Sequence, residues 1–253
     1  MFQDHRVSVV IPAYNEEETI GGVVDDMRQC ELVDEIVVVD NNSRDRTGEI
    51  ARARGARVVE ETTPGYGSAL RCGLDAADGE ILVMVEADGS FRSEDILKLL
   101  VYLEDAGMVL GTRTTRQMVQ QGANMDFSLR WGNVTMAKIL ELLWYVPHEP
   151  RLTDVGCTYR ALWKTTWQAI ASHLSEPGPA FSPEMMCEAL TQGFRVIEVP
   201  VHYYRRMGGD SKHSDSFLKV AKTALMMFRT IVRKRWESLG APRSGSAAEA
   251  EKA

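Results

Sequence analysis

The chain lacks any apolar run approaching the roughly 18 residues that a membrane-spanning helix needs. Its first residues, Met1 to Arg6, are polar and carry no apolar signal core. Cysteine is sparse. Cys30, Cys72, Cys157 and Cys187 are far apart in the sequence, with no CxxC pair and no Cys/His cluster. That excludes a disulfide framework or a structural zinc and fits reduced thiols in a cytoplasmic protein. Basic excess is missing too: the formal net charge is −7, which argues against a nucleic-acid partner. With 20 Gly and 9 Pro, neither residue is enriched enough for a collagen-like or disordered chain. What is present is 253 residues, 44% of them hydrophobic, enough for one globular α/β domain with a full core.

The first 112 residues alternate short apolar runs with helical patterns. Val7–Ile11, Ile36–Val39, Val58–Val59, Ile81–Val85 and Met108–Gly111 read as strands, with helices expected over about Glu17–Cys30, Asp45–Arg54 and Ser68–Ala77. Ser93 is expected to cap a further helix whose first turn carries Glu94 and Asp95. Continuous apolar runs imply strands buried on both faces, and their alternation with helices implies a mostly parallel central sheet flanked by helices. Helical patterning returns over about Gln117–Glu149. A loop follows to Arg160, then a helix over Glu184–Gln192 and a last strand near Val196–Val199.

In such sheets ligands bind beyond the carboxyl ends of the strands, so the residues just after each strand should carry the chemistry. They are polar in every case. Pro12-Ala13-Tyr14-Asn15-Glu16 follows the first strand, and Asp40-Asn41-Asn42-Ser43-Arg44-Asp45 the second. Glu86-Ala87-Asp88-Gly89 follows the fourth, and Gly111-Thr112-Arg113 the fifth. Two acids one residue apart at a strand end can share a hard divalent cation, Mg²⁺ or Mn²⁺, that neutralises a diphosphate. A solvated acidic loop is the plainer alternative. Asp40 and Asn42 have two readings, contact with a nucleoside or capping of the next helix. Gly65-Tyr66-Gly67 is either a simple turn or a place where backbone approaches a ligand.

Taken in order, Ile11-Pro12-Ala13-Tyr14-Asn15-Glu16-Glu17, Val39-Asp40-Asn41-Asn42-Ser43-Arg44-Asp45-Arg46-Thr47, Gly65-Tyr66-Gly67-Ser68-Ala69 and Glu86-Ala87-Asp88-Gly89 resemble the signature of family 2 glycosyltransferases. Gly111-Thr112-Arg113, Arg130 with Asn133, Asp154 to Arg160, Glu198-Val199-Pro200-Val201 and Arg206 to Lys212 resemble its dolichol-phosphate mannosyltransferase and polyprenyl-phosphate glycosyltransferase branch. The resemblance covers about residues 6–215. It implies a Rossmann-like GT-A fold and an inverting transfer from a UDP- or GDP-linked sugar. By the same resemblance Pro12, Tyr14, Glu16, Asp40, Asn42, Gly67 and Ala87 line the donor, and Glu86 and Asp88 hold the metal, with Ser90 beside them. Arg113, Arg130, Arg206, Ser211 and Lys212 would meet phosphate. Two departures stand out: Glu86 where the family has the first Asp of Asp-x-Asp, and Ser90 where relatives often have Gln.

The implied acceptor is a polyprenyl phosphate. A monophosphate is ionised near neutral pH and needs orientation rather than a base, which arginines supply. A hydroxyl acceptor would need a base, for which Asp154 is the candidate, its alternative being a loop carboxylate paired with Arg160. A soluble enzyme acting on a small-molecule acceptor and a non-catalytic nucleotide-sugar-binding subunit are the competing functions. The expected organisation is a single domain over residues 1–236, with a donor half over 1–113 and an acceptor half over 114–214. A basic amphipathic helix over 215–236 then precedes a disordered tail, 237–253. Residues 217–236 either lie against the inner face of an anionic membrane or pack on the core or on another subunit.

Overall fold

The computed structural model describes residues 1–123, 127–145, 151–208 and 217–240. Among them, β1 (Val7–Ala13), β2 (Glu35–Asp40), β3 (Arg57–Glu60), β4 (Ile81–Met84), β5 (Met108–Thr112), β6 (Arg160–Trp163) and β7 (Val196–Pro200) form one sheet. Its order is β3-β2-β1-β4-β6-β5-β7. All neighbours pair in parallel except β6, which runs antiparallel to both β4 and β5. Two antiparallel pairings in succession leave β4 and β5 pointing the same way. The carboxyl ends of β1, β2, β4 and β5 therefore emerge at one edge, as the parallel-sheet reading requires.

Successive side chains on these strands point to opposite faces, so each buried strand feeds two cores. Val7, Val9 and Ile11 of β1, with Ile36 and Val38 of β2, pack against α1 (Ile20–Gln29), α2 (Thr47–Ala53) and α4 (Ile96–Leu103). Val10, Val37, Val39, Leu82 and Met84 face the other way. They meet α3 (Tyr66–Ala76), α5 (Phe127–Leu143), α6 (Lys164–Ile170), α7 (Phe181–Thr191) and α8 (Phe217–Gly240). Helix α1 buries Ile20, Val23, Val24 and Met27, one stripe at helical spacing.

Four local expectations need correction. Ser93 does not cap α4. Its backbone N–H donates to Asp26 at 2.9 Å, Ser93–Asp95 forms a 3₁₀ turn, and α4 begins only at Ile96. Residues 119–123 are not helical and 116–118 form only a 3₁₀ turn, Arg116–Met118, after which Val119 bridges to Tyr203. Residues 160–170, read as loop at their start, form β6 and α6. The final helix runs on to Gly240, because Glu237 pairs with Arg233 and Lys234 one turn back, so residues 237–240 are helical rather than tail. Residues 241–253 lie outside the described residues.

Candidate active site

The end of β4 carries the acidic pair. Asp88 is buried, and its Oδ1 accepts the backbone N–H of Ser90 at 2.9 Å, which fixes the turn. Gly89 holds φ at +73°, and a Cβ there would lie 2.8 Å from the Met207 side chain, so this turn needs glycine twice over. The segment 204–207 runs beside the turn: Tyr204 N–H donates to the Ser90 carbonyl at 2.9 Å and Met207 N–H to the Asp88 carbonyl at 3.0 Å. Those two bonds aim Arg206 at the acids. Its Nε lies 2.8 Å from Asp88 Oδ2 and its Nη2 3.7 Å from Glu86 Oε2.

Glu86 Oε1 accepts from the Thr158 hydroxyl at 2.8 Å, and Thr158 is in turn 2.6 Å from the Tyr66 phenol. Burial, then the neighbouring Asp88 carboxylate, push Glu86 up to about 7, against the pull of Arg113 and Arg206. The Ser90 hydroxyl is buried yet makes no hydrogen bond, and Asp88 Oδ2 is answered only by the charge of Arg206. A buried hydroxyl without a partner is rare and calls for one. Two carboxylates and a hydroxyl fit a hard cation that keeps open positions for water and substrate phosphate, the habit of Mg²⁺ and its close analogue Mn²⁺. Among the described residues no cluster of three or more His, Cys, Asp or Glu forms a closed metal cage. Ala87, between the acids, is buried in the core and offers the site only backbone.

At the end of β5, Arg113 is almost buried and held by Asp154. The guanidinium reaches Asp154 through Nε at 2.8 Å and Nη2 at 2.9 Å, and the Arg113 backbone N–H donates to the same carboxylate at 3.1 Å. Gly156 N–H adds a fourth contact at 3.1 Å. Asp154 is fully buried, and its partner is Arg113, not Arg160, which instead donates to the Cys157 and Ser182 carbonyls. Burial alone would lower the Arg113 pKa, but Asp154 carries it well above the usual value, so it stays a cation. Its guanidinium carbon sits 5.2 Å from the centre of the Tyr203 ring.

Behind this pair stands Glu198 of β7, raised above its usual pKa by burial, which accepts from the backbone N–H groups of Thr153 at 2.6 Å and Asp154 at 3.1 Å. Arg130 is half-buried on α5 and lines a groove of about 370 Å³ with Thr114, Thr115, Arg116, Gln117, Trp131 and Val134. Asn133, three residues on from Arg130, faces Gly156 beside the Arg113 guanidinium.

The donor edge is built from the ends of β1 and β2. Pro12 is half-buried in β1 opposite Val39, Tyr14 is exposed, and Glu16 lies at the foot of α1, its backbone N–H held by Thr47 at 2.8 Å. Asp40 accepts Ser43 N–H at 3.0 Å through Oδ1 and packs its other oxygen against Gly48, closing a turn rather than capping α2. Asn42 takes a left-handed φ of +65° and donates to the Glu61 and Thr62 carbonyls. Gly67 serves a close approach to protein backbone: a Cβ there would lie 2.2 Å from the Glu176 carbonyl, and Gly67 N–H donates to Pro177 at 2.7 Å. Ser211 and Lys212 lie outside the described residues.

Several structural ties escaped the sequence reading. Asn41 is buried and grips the 61–65 loop through the carbonyls of Glu61 and Thr63 and the N–H of Gly65. Thr158 and Tyr66 brace Glu86, and Glu198 braces the Asp154 loop. Only Glu198 had a local signal, a charge inside the apolar run Val196-Ile197-Glu198-Val199.

Residues 8–148 match the model of the family described as Glycosyl transferase family 2. An uncharacterised glycosyltransferase of Mycobacterium tuberculosis is 32% identical over 236 residues, covering 89% of this chain and 97% of that protein. Undecaprenyl-phosphate mannosyltransferase of Micrococcus luteus is 30% identical, covering 93% of this chain and 98% of that protein. Dolichyl-phosphate hexose transferase of Haloferax volcanii is 32% identical, covering 80% and 84%. The fold is similar to that of glucosyl-3-phosphoglycerate synthase from Mycobacterium tuberculosis, solved with Mn²⁺, UDP and phosphoglyceric acid. The TM-score is 0.71 at 22% identity, over 96% of this chain and 81% of that one. The sheet and its polar edge define a GT-A transferase fold. The chain belongs to glycosyl transferase family 2 and is a glycosyltransferase.

Proposed function

We propose that the protein moves a hexosyl group, with inversion, from a nucleoside diphosphate sugar to a polyprenyl phosphate. The observation that carries this reading is the pairing of an acidic, cation-seeking strand end with fixed guanidinium groups. Glu86, Asp88 and Ser90 would hold Mg²⁺ or Mn²⁺, which when bound offsets charge on the departing diphosphate. Arg206 and Arg113 supply positive charge beside it, and Arg130 continues that charge into the groove. Tyr14, Glu16, Asp40 and Asn42 would contact the nucleoside. A phosphate oxygen of the acceptor attacks the anomeric carbon, and the bond from that carbon to the diphosphate breaks with its electron pair leaving on the nucleoside diphosphate.

The state of Asp154 favours a phosphate nucleophile. Both its oxygens are engaged by Arg113, so as placed it positions a cation rather than waiting for a proton. A hydroxyl acceptor would need a base near the anomeric carbon, whereas a phosphate needs none. Relatives named for undecaprenyl and dolichyl phosphate, matched over most of their length, support the same acceptor class.

A second reading, transfer to a small phosphorylated acid, draws on the likeness to the glucosyl-3-phosphoglycerate synthase fold. The purified chain should be incubated with UDP- and GDP-sugars, Mn²⁺ and either detergent-dispersed polyprenyl phosphate or phosphoglyceric acid. Organic-extractable labelled sugar is the expected product. Product only with the water-soluble acceptor would select the second reading. Asp88→Ala is expected to lower turnover by roughly 10²-fold or more, and an undiminished rate would remove Asp88 from the site.

A further inference from the structure

We infer that the outer face of α8 is a docking surface for an anionic lipid bilayer, on which the helix lies in the plane of the headgroups. The inner face is already occupied. Met227, Thr230, Ile231 and Lys234 are buried, and Arg233 and Lys234 pair with Glu184 and Glu188 of α7. The helix is therefore fixed to the domain, and its outward side chains are settled. Leu225, Phe228, Trp236 and Leu239 are 58%, 39%, 74% and 65% exposed. At 3.6 residues per turn these four, with half-buried Val232 between them, fall in one stripe opposite the buried face. Large apolar side chains aligned on a surface helix mark a contact with something outside the chain.

Charge identifies that contact. Lys222 and Arg229 border the stripe, are exposed, and make no ion pair or hydrogen bond among the described residues. Residues 217–240 carry six basic side chains and one acidic one, in a chain whose formal net charge is −7. That lone acid, Glu237, is engaged by Arg233 and Lys234. A second copy pairing through this stripe would set unpaired cations near unpaired cations with no carboxylate to answer them. An anionic bilayer answers both features: leucine, phenylalanine and tryptophan enter the boundary between headgroup and acyl chain, and lysine and arginine meet the headgroups. At the edge of the stripe, Arg235 stacks over Trp144, the residue just after α5, at 5.6 Å, beside the exposed Tyr145.

The surface is independent of the proposed acceptor, because the transfer assay above uses detergent-dispersed lipid and no bilayer. The test is flotation of the full chain with vesicles of phosphatidylcholine containing roughly a third phosphatidylglycerol, against phosphatidylcholine alone. Wild type is expected to float with the anionic vesicles and to be released by salt. Trp236→Ser with Leu225→Ser should weaken partition by roughly tenfold or more. Lys222→Gln and Arg229→Gln should each cost about fivefold, the equivalent of about 1 kcal/mol per cation at an anionic surface. All four positions are exposed, so circular dichroism and melting of the variants should match wild type. Wild type that stays at the bottom of the gradient overturns the proposal, as do folded stripe variants that float unchanged. A wild-type dimer by light scattering that Trp236→Ser converts to monomer also overturns it, assigning the face to a second copy.

Discussion

Truncating Asp154 tests what the Arg113–Asp154 pair does. The Asp154 side chain is 0% exposed and that of Arg113 10%, so neither charge has water to fall back on. Asp154→Ala removes two guanidinium contacts and strands the N–H groups of Arg113 and Gly156. Breaking a buried pair by deleting one partner costs about 3–5 kcal/mol, because the surviving charge is uncompensated. For a chain of this size about 2–4 °C of Tm is lost per kcal/mol, so the variant should melt about 6–20 °C below wild type. Replacing both partners, Arg113→Met with Asp154→Leu, should recover more than half of that loss, since the desolvation cost goes with the charges. Kinetics separates positioning from proton transfer. With Asp154→Asn, the positioning role predicts a higher KM for the acceptor and an acidic limb of the kcat/KM profile that does not move. Disappearance of that limb would make Asp154 a base. A melting point for Asp154→Ala within about 1 °C of wild type would refute the buried-pair reasoning outright.

Arg206→Ala should raise Mn²⁺ affinity by roughly tenfold while lowering turnover, because the guanidinium that now lies on Asp88 competes with the ion for the same oxygens. Isothermal titration and steady-state rates check the two halves separately. Glu86 has an ordinary carboxyl pKa of 4.5 and a folded one of about 7. Between those values the native state binds more protons than the unfolded chain, so this group's stabilisation is full below about 4.5 and lost as pH rises to about 7. Metal-free melting points should fall across that window, and Mn²⁺ affinity should climb through it and then level off, because the ligand must ionise to bind. Gly89→Ala forces a Cβ onto the Met207 side chain at positive φ and should cost about 1–3 kcal/mol in chemical denaturation.

Strands β1, β2 and β4 were legible because they are rich in β-branched residues and buried on both faces, a pattern that local sequence states outright. Strand β6 was not. Arg160-Ala161-Leu162-Trp163 has four residues, none β-branched, and opens on an arginine whose buried side chain donates to carbonyls. Its place between β4 and β5 is decided by what it pairs with, which no local pattern reports. The acidic pair and the arginines were visible as residue types at strand ends. Their partners were not: Asp154 lies 41 residues from Arg113, and Thr158 lies 72 residues from Glu86. Contacts at that separation depend on topology, and the unforeseen strand β6 begins just after Thr158 and helps deliver it to Glu86.

The same topology gives Glu86 and Asp88 different chemistry despite their adjacency. Asp88 accepts the Ser90 N–H through one oxygen and faces Arg206 with the other, so its charge is answered on both sides. Glu86 is one methylene longer and reaches past that turn to Thr158, with Arg206 only at 3.7 Å. Burial, and then the neighbouring Asp88 carboxylate, penalise charge on Glu86, so its pKa is raised to about 7 despite the pull of Arg113 and Arg206. A divalent ion bound through Glu86 would have to displace its proton, so the ion's affinity is predicted to rise with pH up to about 7.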